Sequence, residues 1–199
     1  MTASILRKFY LTSISSFDVS LCELFIGAFF FAMRSCEYVQ VHGPRKTKLV
    51  TLQNIRFFKR KRVLIHSDNH LHKADCVSIT FEFQKRDTKG DIITQHRSKD
   101  SLLCPVKIWA KIVKRLISYP SSSGNTTVNL FLFQDGSSHL FSGKDLLSRI
   151  RLVAASIGWD ELGFSPEDLG LHSARSGAAM AMFLAGVPVF TIMLFRSLV

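Results

Sequence analysis

The sequence predicts an α+β fold that is mostly helical and carries one small antiparallel sheet of about three strands. Helical spacing of apolar residues dominates before residue 37 and again after residue 104. Between them, residues 50–97 form a single block rich in β-branched and aromatic residues. A chain of 199 residues with 47% hydrophobic content suits one domain with a packed core.

Composition narrows the class of partner. The 26 Lys and Arg against 15 Asp and Glu give a net charge of +11. This balance favours a polyanionic partner, nucleic acid first and an acidic membrane surface second, although a merely basic protein would share it. The cysteines are widely spaced without a C-x-x-C pair, which is typical of reduced thiols in an intracellular protein. They are Cys22, Cys36, Cys76 and Cys104. No signal-peptide pattern is present, and the apolar stretch 24–33 is too short to span a bilayer.

The first third of the chain predicts a buried helix that ends in an arginine. Residues 1–16 are rich in Ser and Thr and are expected to form a frayed N-terminal segment. Ser16 or Asp18 then caps a helix that runs to about Cys36. Arg34 follows a stretch of twelve residues with a single charge, so its guanidinium needs a partner. That partner is either the Glu37 carboxylate or a phosphate from a ligand.

Basic residues mark the loop before the sheet and the tip of a hairpin within it. Residues 37–50 are expected to be a loop that carries Arg45, Lys46 and Lys48. Strand patterns follow at residues 55–58, 63–65, 76–83 and 92–95. The turn at residues 84–91 carries three cations. They are Lys85, Arg86 and Lys89. Solvation alone would also explain a basic tip.

Three histidines in the sheet block raise a metal hypothesis. His66, His70 and His72 share strand parity, with acidic residues nearby. Their spacing matches no specific zinc pattern, so a polar loop between strands is the favoured interpretation and no metal site is expected.

The second half of the chain predicts three helices, the last of which starts with polar residues. Pro105 starts the first, and Ser142 caps the second, which runs to about Ile157. The third spans residues 171–187 with a stop at Gly186. An apolar stripe at helical spacing is expected to face the core in this third helix, and small residues are expected to allow close approach by another element. The stripe is Met180, Phe183, Leu184 and Val187; the small residues are Gly177, Ala178, Ala179 and Ala181.

His172 and Arg175 lie three residues apart at the start of this helix, on one face. An acid/base group, a fixed cation and the free N–H groups of a helix N-terminus favour phosphate binding. A solvated helix end is the simpler alternative.

Four motifs in this order carry a family resemblance. They are residues 32–37, the hairpin 84–90, residues 104–106, and residues 171–177 together with 185–187. The chain from about residue 17 to 195 resembles the catalytic domain of tyrosine recombinases, the phage-integrase-like site-specific recombinases. It looks closest to the branch found in eukaryotic mobile elements. We therefore expect one such domain over residues 17–199.

The resemblance implies a role for each matching residue. Arg34 and Arg175 would clamp the scissile phosphate, and His172 would act as acid and base beside them. Lys85 would protonate the leaving 5′-oxygen, with Lys89 as the alternative in the same hairpin. In the family a tyrosine attacks the phosphate, and neither a metal nor any other cofactor takes part.

The implied partner is double-stranded DNA, and the implied process is DNA integration and recombination by strand breakage and rejoining. Arg45, Lys46, Arg86 and Lys89 would contact the DNA outside the scissile phosphate. A homo-oligomer assembled on DNA, no membrane association and, in a eukaryote, a nuclear location are further expectations from the resemblance.

The sequence departs from the family pattern where the nucleophile should be. The family's next His or Trp would fall near Leu198, and its tyrosine would fall beyond Val199. Tyr10, Tyr38 and Tyr119 match no nucleophile position. We therefore expect this stretch to be inactive in strand transfer, as a truncated gene model, a decayed mobile-element copy or a fragment.

Two other hypotheses stay open. One is a non-catalytic DNA-binding remnant of a mobile element. The other is a basic protein that serves as a helical scaffold or binds a membrane surface. Convergence of Arg34, Lys85, His172 and Arg175 in one basic cleft would separate the DNA-binding hypotheses from the scaffold.

Overall fold

A computed structural model describes residues 2–43, 47–82 and 91–195. In these residues the helices, in chain order, are α1 Ala3–Thr12, α2 Ser16–Phe30, α3 Ser35–Tyr38, α4 Pro105–Ile117, α5 Gly143–Ile157, α6 Trp159–Leu162, α7 Ser173–Leu184 and α8 Val189–Leu194. Short 3₁₀ turns cover Leu52–Asn54, Leu71–Lys73 and Pro166–Asp168. The mixed, mostly helical α+β class that the sequence predicts is confirmed.

The main sheet has four antiparallel strands instead of about three. They are β1 Ile55–Lys59, β2 Arg62–Leu64, β3 Cys76–Phe81 and β4 Asp91–His96, in the order β2-β1-β3-β4. All four strands overlap segments with a strand pattern in the sequence, and the shortest, β2, pairs along β1 alone. Within the described residues a separate two-stranded sheet joins β5 Leu130–Leu132 to β6 Ser138–Leu140.

The N-terminal segment is a packed helix, so the expectation that residues 1–16 are frayed was wrong. Thr2 caps α1 by accepting a hydrogen bond from the backbone N–H of Ile5 at 3.4 Å. Ile5 and Phe9 are fully buried, and α1 packs against α5. The one-turn spacing of these apolar side chains supplies the buried face that a Ser- and Thr-rich composition conceals.

Helix α2 forms the centre of the molecule because it is apolar nearly all round. Its middle residues are buried, and α1, α4 and α7 pack on it. Gly27 allows a close approach between α2 and α4: a Cβ there would lie 3.1 Å from the Trp109 indole of α4. This contact couples the helical half of the molecule to the helix that supports the sheet.

Helix α2 ends earlier than the sequence predicts, which changes the position of Arg34. The backbone N–H groups of Ala32 and Met33 donate to the carbonyls of Phe29 and Ala28, an arrangement that closes a helix C-terminus. Ala32 adopts φ +45°, a left-handed conformation in which glycine is usual. Arg34 is therefore the N-cap of the short helix α3 and not part of the last turn of α2.

Helix α7 presents its small residues to the core and its large apolar residues to solvent. Ala174, Gly177 and Ala178 are buried where α7 packs against α2. The predicted core stripe of α7 was wrong: Met180, Phe183 and Leu184 are exposed. Small side chains were favoured at the contact because they bring the two backbones close together. The predicted glycine stop is confirmed, since Gly186 has φ +79° and Val187 N–H donates to the Met182 carbonyl.

None of the helices in the described ranges is both long and apolar enough to cross a bilayer.

Candidate phosphate site

Arg175 joins the start of α7 to the end of α2. Its Nη1 donates to the Ala32 carbonyl at 3.2 Å, across 143 residues of sequence. Ala32 is fully buried and lies two residues before Arg34. The contact therefore brings the Arg175 side chain to the segment that carries Arg34.

His172 and Arg175 line one open cavity of about 530 Å³ between α7 and α8. His172 is exposed, it is the N-cap of α7, and its side chain makes no cap hydrogen bond. Among the described residues, the rest of the lining comes from Ser176, Ala179, Met180, Phe183, Val189 and Ile192. The imidazole and the guanidinium thus sit at the polar end of an otherwise apolar groove.

Arg34 lies against Glu37 and does not line that cavity. Its Nη1 is 3.4 Å from Glu37 Oε1, and its backbone N–H donates to Glu37 Oε2 at 2.8 Å. The Arg34 side chain is 19% exposed, and that of Glu37 is 1% exposed. Of the two partners that the sequence left open, the carboxylate is therefore present, and the Arg34 side chain stays partly accessible to solvent.

The base of the β3–β4 hairpin lies close to Glu37. Phe81 pairs with Asp91, so residues 82–90 connect the two strands. Glu37 and Glu82 line the same narrow crevice. Hydrogen bonds from Asn54 and Lys48 hold the pKa of Glu82 below its usual range, so its carboxylate is ionised at neutral pH. The hairpin therefore starts next to the Arg34–Glu37 pair.

Several predicted residues lie outside the described residues. They are Lys85, Arg86 and Lys89 in the β3–β4 connection and Arg45 and Lys46 in the loop before the sheet. Their roles stay predictions.

Family models, curated proteins and solved structures show no match to this chain.

The three tyrosines of the chain lie in other environments. Tyr38 is fully buried, Tyr10 accepts a hydrogen bond from Lys111, and Tyr119 accepts one from Arg115. The lining of the α7–α8 cavity in the described residues includes no tyrosine. A phosphotyrosyl link needs a tyrosine beside the phosphate, and the described lining residues supply none.

The described residues contain no cluster of three His, Cys, Asp or Glu side chains placed to hold a metal ion. His66 Nε2 lies 2.8 Å from the Ile55 carbonyl, and His70 is 3.6 Å from Asp68. These contacts agree with the polar-loop interpretation. Burial raises the pKa of the Cys22 and Cys76 thiols, so both stay protonated at neutral pH.

Sequence reasoning missed a second group of cations, at the β1–β2 turn. Lys59, Arg60, Lys61 and Arg62 are consecutive, and the last three are exposed. The signal was available, because this run of four cations separates two β-rich segments.

Proposed function

We propose that this chain is a duplex-DNA-binding domain of the tyrosine-recombinase type, with a phosphate site formed by Arg34, His172 and Arg175. The observation that carries the proposal is the hydrogen bond from Arg175 to the Ala32 carbonyl. It joins the two arginine-bearing segments, which are distant in sequence, and the same α7 terminus carries His172. If the His-x-x-Arg motif had arisen by chance on a scaffold helix, there would be no reason for Arg175 to contact the segment that carries Arg34.

Each side chain has a chemical task in the proposed site. The planar guanidinium groups of Arg34 and Arg175 would neutralise the phosphate through paired N–H donors. The buried Glu37 carboxylate would fix the orientation of the Arg34 guanidinium. His172 would hydrogen-bond a phosphate oxygen and, in a complete enzyme, transfer a proton.

DNA is the polyanion that the charge distribution supports best. The net charge is +11, and α4 carries Lys107 together with Lys111, which pairs with Glu23, and Lys114, which donates to the Asn69 carbonyl. Backbone contacts of this kind neutralise phosphates without reading bases, so binding should show little sequence preference. In the alternative hypothesis the chain is a non-catalytic remnant that binds DNA through the same surface. It differs only in that it would perform no covalent chemistry even if the family's nucleophile segment were added.

A salt titration with matched variants tests the proposal. Replacing Arg34 or Arg175 by Ala should weaken duplex binding and reduce the slope of log K against log salt by about 0.9 each, and by about 1.8 together.

Arg149→Ala is the matched control. The Arg149 side chain is also 19% exposed and also has a carboxylate at 3.4 Å, that of Asp18. Arg149 belongs to α5 and contacts Asp18 in the first turn of α2, whereas Arg34 follows the C-terminal end of α2. The length of α2 therefore separates the two arginines by about 22 Å at 1.5 Å per residue. Loss of the Arg149 side chain should leave the salt slope unchanged. Absent or salt-insensitive binding, or equal slopes for Arg34→Ala and Arg149→Ala, would refute the phosphate site.

Covalent chemistry is tested separately with a labelled suicide substrate on a denaturing gel. We expect no protein–DNA adduct from this stretch, because no tyrosine lines the described part of the site. A covalent band that survives denaturation would overturn the expectation of inactivity.

A further inference from the structure

The β1–β2 turn holds two cationic residues in a backbone conformation that suits them poorly. Lys59 pairs with Arg62, which leaves Arg60 and Lys61 as a two-residue loop. Their φ angles are +48° and +66°, the combination of a type I′ turn. Asn-Gly is the usual sequence there, because side chains other than Asn and Gly rarely adopt positive φ. Strain of this kind, at a surface position, is often tied to function.

The strained turn gathers four consecutive cationic residues, 59–62. Arg60, Lys61 and Arg62 are exposed, and no side chain of the run at 59–62 forms an ion pair or hydrogen bond with another described residue. The carboxylate at the turn, Asp75, accepts the backbone N–H of Arg60 at 2.7 Å. It therefore stabilises the turn conformation while the side chains of Arg60, Lys61 and Arg62 stay exposed to solvent.

This basic tip lies at the far end of the sheet from the proposed phosphate site. Phe58, next to the tip, pairs with Cys76, whereas the β3–β4 connection leaves from Phe81. Five residues of β3 separate the two ends, which is about 17 Å at 3.3 Å per residue. One turn of B-DNA is about 34 Å long, so a single duplex can contact both places.

We propose that the β1–β2 tip, residues 59–62, is a second duplex-DNA contact that binds backbone phosphates independently of Arg34 and Arg175. This inference rests on the proposed function for the identity of the polyanion. A two-stranded ribbon closed by a two-residue turn is narrow enough to enter the major groove. A membrane-inserting tip would need apolar residues at its apex. Both loop residues, Arg60 and Lys61, are cationic, and the exposed apolar side chains of Val63 and Ile65 lie farther along the chain.

The double substitution Arg60→Asn/Lys61→Gly separates binding from structure. It installs the favoured type I′ pair, so the melting temperature should rise by about 2–4 °C. It also removes two phosphate contacts, so the salt slope should fall by about 1.8 and affinity at moderate salt by about tenfold. Stability and affinity thus move in opposite directions, which a purely structural role for the turn would not produce.

Lys8→Gln/Lys144→Gln is the charge-matched control. Both lysines are exposed, and they lie on α1 and α5, two helices that pack on each other. This control removes the same charge and should leave the slope unchanged. If the tip variant binds duplex DNA like this control while Arg34→Ala and Arg175→Ala weaken binding, the inference fails and the proposed function stands. If the wild-type chain binds no duplex, the proposed function fails. If the tip variant loses affinity for phosphatidylserine vesicles and keeps its affinity for DNA, the partner named here is wrong.

Discussion

The orientation of α7 gives the sharpest test of the structure, because the sequence predicted the opposite face as core. Ala178 is 6% exposed at the contact with α2, and Leu184 is 77% exposed on the same helix. Two substitutions therefore separate the orientations: Ala178→Leu enlarges a residue at the contact, and Leu184→Gln removes an apolar side chain from the solvent face.

The structure sets the size of each effect. Leucine at position 178 adds three carbons to a close helix–helix contact, and overpacking of this kind costs about 1–3 kcal/mol. For a chain of this length that lowers the melting temperature by about 2–12 °C. Leu184 has less than a quarter of its surface buried, so its replacement forfeits only about 0.5 kcal/mol of apolar burial.

The assay is thermal unfolding followed by circular dichroism, paired with duplex binding. Ala178→Leu should also weaken DNA binding although it changes no charge, because separating α7 from α2 breaks the hydrogen bond between Arg175 and Ala32. Leu184→Gln should leave both unfolding and binding close to wild type. A neutral Ala178→Leu together with a loss of about 2–5 kcal/mol for Leu184→Gln would mean that the apolar stripe faces the core after all.

Three further predictions concern the helices around α2. Gly27→Ala gains about 1 kcal/mol of helix propensity but forces a methyl group to 3.1 Å from the buried Trp109 indole, so chemical denaturation should show a net loss of about 1 kcal/mol. Burial raises the pKa of Glu23 despite the Lys111 ammonium 3.2 Å away, so its contribution to stability is present below its ordinary pKa of 4.5 and is lost as pH rises through the folded-state pKa. The melting temperature of Glu23→Gln relative to wild type should therefore increase between pH 4 and 7, and a flat difference would contradict the raised pKa. At Ala32, with φ +45°, a β-branched valine should cost about 2 kcal/mol more than glycine in the same denaturation measurement.

Local pattern was sufficient for much of the fold. The helical face of α4, the Ser142 cap of α5 and the Gly186 stop of α7 follow from residues within a turn or two of each position. The burial of Val77, Ile79 and Phe81 in β3 likewise follows from their spacing of two residues. These elements were predictable because their apolar period and capping chemistry are contained in one short segment.

The sequence failed where two chemically plausible faces or partners competed. Helix α7 offers a face of small residues and a face of large apolar residues, and only packing against α2 chose the small ones. Residues 3–12 also have an apolar face, but that face stabilises a helix only because α5 packs against it and buries it. The end of α2 at Phe30 depended on a left-handed Ala32, which carries no glycine signal.

For the candidate site, the sequence by itself determined which groups are present: two arginines and a histidine of the right chemistry, on a strongly basic chain. The position of Arg175 beside the segment that carries Arg34 was decided by tertiary structure. The bond from Arg175 to the Ala32 carbonyl spans 143 residues, whereas Glu37, three residues after Arg34, was one of the two partners that the sequence offered. A contact between distant segments forms only after α2 and α7 have packed, because its energy depends on the geometry of both helices and not on either segment alone.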